Sequence, residues 1–264
     1  PLMKKLLTAA VASIALASGA LAQTFTNQLF NGNGNSGFGG VIGTGTLNVS
    51  NNSTGNLAFT LTKGAGNFND SIVLYIDSVS GGFTNTLSLN DQADPLRSAI
   101  SGASGGTTGT NANTRSTLTF NTGFTANYAI ALNNGFAGLW QLASGGSNSL
   151  TFITGADLSP TGTATNATYG FNINVTNIGL TANSGQTFKF VGTYLNAGPV
   201  FRSDEALGFS ISGGNPGAGG IGSYPNTTAT SDFSFQTIPE PSTYALLGLA
   251  ATALGAHVIR RRRR

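Results

Sequence analysis

Carboxylates are the side chains with which this sequence could build a reactive site. Four of them, Asp70, Asp77, Asp91 and Asp94, stand close together in a chain that holds only nine acids. A glycoside hydrolase needs two carboxyl groups about 5 to 9 Å apart across a cleft. A structural calcium ion would take similar oxygens, and Asp70 and Asp77 are the candidate ligands. The local sequence favours plainer roles. Asp70 follows Phe68-Asn69 in a turn, Asp77 ends an apolar run, and Asp94 precedes Pro95 as a helix cap would. Cysteine is absent and the single histidine is His257. Thiol nucleophiles and Cys-based zinc sites are therefore excluded, as are imidazole bases anywhere before residue 257. We expect no enzymatic activity and no cofactor.

Aromatic residues are the second source of chemistry. Trp140 is the sole tryptophan. With Tyr128 it is the candidate platform on which a sugar ring could stack. The stretch Asn69 to Asp77 is similar to the strand-acid pattern of jelly-roll carbohydrate-binding modules. That resemblance implies a glycan-binding module as the alternative function.

The elements that must position these residues read as strands. Leu57-Ala-Phe-Thr-Leu-Thr62 and Tyr169 to Thr176 alternate with period two. So do Leu118 to Phe120, Tyr128 to Leu132, Phe188 to Phe190, Phe209 to Ile211 and Phe233 to Phe235. Ser71 to Ile76 is apolar at nearly every position, which predicts a central strand covered on both faces. The fold class is all-β, an antiparallel sandwich or jelly roll over residues 23–237. One short helix is predicted, with Asp94 as cap, Pro95 at its first position and a stop at Gly102. The Asn- and Gly-rich stretches Asn31 to Gly37, Ser101 to Asn113 and Ser212 to Gly222 read as flexible loops.

Charge separates this body from its ends. Charged residues are 8 % of the chain. Between residues 23 and 237, eight acids face five cations, Lys63, Arg97, Arg115, Lys189 and Arg202, for a net of −3. No basic patch for nucleic acid is expected on it. Residues 1–22 read as a signal peptide, a helix with Lys4 and Lys5 before an apolar run. Ala20 and Ala22 set a cleavage site before Gln23. Residues 238–264 combine Pro239, Glu240, Pro241, Ser242 and Thr243 with an uncharged run, Tyr244 to Ile259. Arg260, Arg261, Arg262, Arg263 and Arg264 follow it. Sixteen helical residues span roughly 24 Å, short of the about 30 Å hydrocarbon core. Snorkelling arginines extend the reach and hold the tail at the cytoplasmic face. A single C-terminal transmembrane helix with the body outside is the expected arrangement.

This tail resembles the PEP-CTERM sorting tail of exopolysaccharide-producing Gram-negative bacteria: proline-glutamate-proline, an apolar helix and an arginine cluster, in that order. The resemblance implies recognition by a membrane-embedded exosortase, a cysteine transpeptidase, with cleavage near the motif. Release or attachment at the cell surface would follow. It also implies the secretion machinery, the inner membrane and exopolysaccharide as partners.

Overall fold

The computed structural model describes residues 27–51, 54–103, 115–182, 184–196, 201–208, 211–212, 227–229 and 232–237. Fourteen strands are present among them. In chain order the first seven are β1 (Asn27–Asn31), β2 (Thr46–Asn51), β3 (Asn56–Thr62), β4 (Ser71–Asp77), β5 (Leu118–Thr119), β6 (Tyr128–Leu132) and β7 (Ala137–Gln141). There follow β8 (Thr151–Gly155), β9 (Thr168–Asn174), β10 (Thr187–Leu195), β11 (Arg202–Leu207), β12 (Ile211–Ser212), β13 (Thr227–Ala229) and β14 (Phe233–Gln236). Helix α1 (Pro95–Ser101) and a 3-10 turn (Val175–Ile178) complete the set.

The period-two alternation sorts side chains onto two faces, and this builds the sandwich. One antiparallel sheet runs β1-β2-β3-β9. On β3, Leu57, Phe59 and Leu61 point inward while Ala58, Thr60 and Thr62 face water. Phe59 lies opposite Phe171 of β9, their rings stacked at 5.0 Å. The second sheet runs β11-β10-β4-β6-β7-β8, with β14 also paired to β10. Its inner face contributes Ile72, Leu74, Ile76, Ile130, Leu132 and Phe190 to the shared core.

The opposite face of the second sheet is covered too. Val73, Tyr75, Ala129, Ala131, Trp140 and Val191 pack there against Leu96, Ala99 and Ile100 of α1, together with Leu118, Phe120 and Phe124. Ser71 to Ile76 is thus buried on both sides, as its unbroken apolar run predicted. The α1 expectation holds at both ends. Asp94 Oδ1 accepts the Leu96 and Arg97 N–H groups at 2.9 Å each, and Gly102 closes the helix in a left-handed conformation.

Three details depart from expectation. The strand starting near Tyr169 stops at Asn174, whose side chain accepts the Thr176 N–H at 3.0 Å and starts the 3-10 turn. A small third sheet, β12-β13-β5, pairs β13 with β5 in parallel, so pairing is not antiparallel throughout. The two large sheets are also stitched along their sides. Ala156 donates to Ala137 O of one sheet at 3.0 Å and accepts from Asn172 N of the other at 2.8 Å. On the far side, Asn33 N donates to Ala206 O at 3.0 Å.

Candidate functional site

The Asn- and Gly-rich stretch from residue 31 is not a free loop. It wraps around an acidic pair on β11. Glu205 is fully buried. Its Oε1 accepts the N–H groups of Phe38 (2.7 Å) and Gly40 (3.0 Å), and its Oε2 those of Ile42 (3.0 Å) and Gly43 (3.3 Å). Gly40 holds φ +78, a backbone that L side chains rarely adopt. Next to it, Asp204 Oδ1 accepts Gly37 N at 2.9 Å, and Asn33 and Asn35 side chains donate to Asp204 O. Successive N–H groups turned toward one point form an anion nest, and here the chain fills the nest with its own carboxylate. Sequence reasoning missed Glu205. The available signal was an adjacent Asp-Glu pair in a body where acids are scarce.

The four sequence candidates do not form one group: Arg97 bridges Asp91 and Asp94, while Asp70 and Asp77 stand apart from each other. Asp70 and Asp77 flank β4 at opposite ends. Seven strand positions apart at about 3.3 Å each, they stand roughly 23 Å from one another. This overturns a shared calcium site at Asp70 and Asp77. Among the described residues no group of three or more His, Cys, Asp or Glu gathers as a metal site would. Asp70 accepts the Asn196 side-chain amide at 2.9 Å, and Asp77 accepts Thr125 N at 3.1 Å. Burial raises both carboxyls above their ordinary value. The Asn196 bond opposes the rise at Asp70, and the Thr125 and Lys189 neighbours oppose it at Asp77.

Asp91 is a structural hub. Its oxygens accept Ala93 N (3.1 Å), Asn148 N (2.8 Å) and Leu150 N (2.9 Å), and Arg97 Nη1 at 2.6 Å. Arg97 also reaches Asp94 at 3.0 Å. Burial pushes the Asp91 carboxyl up, but the three N–H groups and the guanidinium outweigh it and hold it below 3.8. A depressed folded value means stability that is present above the unfolded pKa and fades as pH falls through the folded one. Urea midpoints of Asp91→Asn and its parent should therefore differ most at pH 7 and converge below pH 3.8. A gap independent of pH would contradict this.

Two guanidiniums are buried beneath α1. Arg115 donates to Thr86 O, Leu89 O and Asn90 Oδ1 at 2.9 to 3.0 Å. Arg202 donates to Thr193 Oγ1 at 2.8 Å and Ser116 O at 3.2 Å and lies against the Tyr75 hydroxyl. Burial lowers both pKa values. Carbonyl and hydroxyl dipoles surround these charges, and they tie the third layer to the second sheet.

The aromatic platform expected at Trp140 and Tyr128 is overturned. Trp140 is 3 % exposed and packs on the α1 side of the second sheet. Tyr128 packs against the inner core, on the other side. Trp140 pairs with Ala129, the neighbour of Tyr128, so strand alternation sends the two rings to opposite faces. Among the described residues the exposed rings are instead Phe136 (44 %) and Phe152 (47 %), whose centroids stand 6.4 Å apart. Phe152 rests edge-on against Trp140 at 5.4 Å. Gly138 makes the cluster: a Cβ there would lie 2.7 Å from the Trp140 ring and 2.9 Å from Phe136. No local pattern around these phenylalanines marked them.

The signal-peptide residues, including Ala20 and Ala22, lie outside the described residues. So do Pro239 to Thr243, the run Tyr244 to Ile259 and Arg260 to Arg264. Among the described residues no helix is long and apolar enough to cross a membrane. The described fold ends at Thr237, which is buried and donates its N–H and Oγ1 to Gln186 O at 2.8 and 2.9 Å. No curated protein and no solved structure matches the chain. One family model does, and its match begins where the described fold stops: over residues 237–264 the chain carries a PEP-CTERM protein-sorting motif, the mark of an exosortase substrate.

Proposed function

We propose that this is a non-enzymatic protein of the cell surface or extracellular matrix, delivered by its tail and associated with exopolysaccharide. The observation that carries the reading is the PEP-CTERM motif at residues 237–264, joined directly to a folded body. The signal peptide is removed after Ala22 and the body crosses the inner membrane. Tyr244 to Ile259 then hold the chain there with Arg260 to Arg264 on the cytoplasmic side. Exosortase cleaves near Pro239-Glu240-Pro241 and leaves the body outside. Proline cannot continue a helix, so a motif that carries Pro239 and Pro241 suits a protease cleft that takes extended chain.

The state of the acids in the body supports a structural role. Glu205, Asp91 and Asp94 each spend their oxygens on backbone N–H groups or on Arg97. Mass spectrometry of the mature protein tests the proposal. The expected form begins at Gln23 and ends within or next to the motif. Replacing Pro239-Glu240-Pro241 with alanines should leave a membrane-bound precursor. A surface-exposed form that retains Arg264 would refute processing.

A further inference from the structure

We infer that the Phe136–Phe152 shelf is a contact site for a neutral polysaccharide. The inference deepens the surface role proposed above, and it rests on the body standing outside the cell.

The shelf is pre-formed. Phe136 and Phe152 are both nearly half exposed, in contact, and tilted 33° to one another. Phe152 is backed by the buried Trp140 ring, and Gly138 leaves the gap in which the rings meet. The turn below Phe136 is fixed because Asn133 Oδ1 accepts the N–H groups of Gly135 and Phe136 at 2.9 Å. Rings held this way lose little freedom on binding.

Size decides the class of occupant. Two phenylalanines of roughly 200 Å² each, a little under half exposed, present about 200 Å² of apolar surface. A specific protein partner, or a second copy of this chain, buries about 800 Å² per side. The shelf also falls below the roughly 300–600 Å² of a typical largest surface patch. It matches the apolar C–H face of one or two sugar rings. Charge decides the rest. Residues 133–156 contain no charged side chain. The polar group beside the rings is an uncharged amide, that of half-buried Asn134 in the turn that carries Phe136. Arg97 reaches this segment at Leu150 O, 2.6 Å, but it is committed to Asp91 and Asp94. The segment therefore offers an acidic polymer no cation of its own, whereas neutral hydroxyls meet an uncharged amide that is easily desolvated.

The test is affinity electrophoresis of the full chain in neutral detergent. Gels would contain dextran, mixed-linkage β-glucan, mannan or galactan, with polygalacturonate as the acidic comparison. At least one neutral polymer should retard the wild type. Combined Phe136→Ala and Phe152→Ala should weaken that retention at least tenfold, while Phe136→Tyr with Phe152→Tyr should keep it. Both residues are exposed, so the urea midpoint should stay put. If it falls, the wild-type chain still decides, because a bound glucan should perturb the fluorescence of Trp140, which lies directly under Phe152. Retardation by none of the neutral polymers, by polygalacturonate alone, or equally for the alanine variant overturns the inference. So does a dimer in sedimentation velocity that the alanine variant dissolves. Failed processing in cells would leave these results unchanged, so the two proposals fail separately.

Discussion

Glu205→Gln is expected to remove about 3–5 kcal/mol of folding stability, much of what a domain of ordinary stability has. The carboxylate accepts four N–H groups from Phe38, Gly40, Ile42 and Gly43. An amide keeps one oxygen and turns an NH2 toward the remaining donors. Those donors are buried or half-buried and would lose their acceptor. Each hydrogen bond to a charged group is worth about 1.5–3 kcal/mol, and a buried donor left without a partner costs a further penalty. Asp204→Asn serves as the control. That carboxylate accepts one exposed N–H, from Gly37, so its loss should stay below about 1 kcal/mol. Denaturant unfolding measures both. Hydrogen exchange at Phe38, Gly40, Ile42 and Gly43 should rise selectively in the glutamine variant. A loss under 1 kcal/mol for Glu205→Gln would show that the nest does not organise this side of the sandwich.

The second large effect concerns the junction with the tail. Ending the chain after Thr237 should leave the unfolding midpoint of the body unchanged, whereas ending it after Asp232 should unfold it or nearly so. Strand β14 pairs with β10 from Thr187 to Phe190. Phe235 is fully buried, 5.6 Å from Phe188, and Phe233 touches both Phe30 and Phe190. Truncating one buried phenylalanine such as Phe235 costs about 3–5 kcal/mol, and losing half-buried Phe233 and the β14 pairing with it approaches the stability of many domains. Circular dichroism and urea titration of the two truncated chains would compare them. Equal midpoints would mean that β14 is dispensable. Under the processing proposed above, cleavage past Ile238 would leave β14 and the core intact, as a sorting device requires.

Much of this was legible in local sequence. The alternations in Leu57 to Thr62, Tyr128 to Leu132 and Phe188 to Phe190 mark strands, because a pleated chain turns successive side chains to opposite faces. Asp94-Pro95 and Gly102 bracket α1 for equally local reasons, a side chain meeting the first N–H groups and a residue free to adopt left-handed φ. The sorting tail is legible for the same reason: its parts act in linear order and need no partner in the fold.

Sequence alone thus determined the strand character of the body, the capped helix α1 and the PEP-CTERM motif. Tertiary structure decided which residues meet. Glu205 lies more than 160 positions from the N–H groups that hold it, so composition reads Asn31 to Gly37 as loose when distant carboxylates at Asp204 and Glu205 order that stretch and the residues after it. Trp140 and Tyr128 sit on neighbouring strands, yet their register sends them to opposite faces. Asp70 and Asp77 are near in number and a full strand length apart in space. Periodicity encodes the face a side chain takes within its own strand. Which strands pair, and in what register, is set by the joint burial of faces drawn from the whole chain, and no local window contains that information.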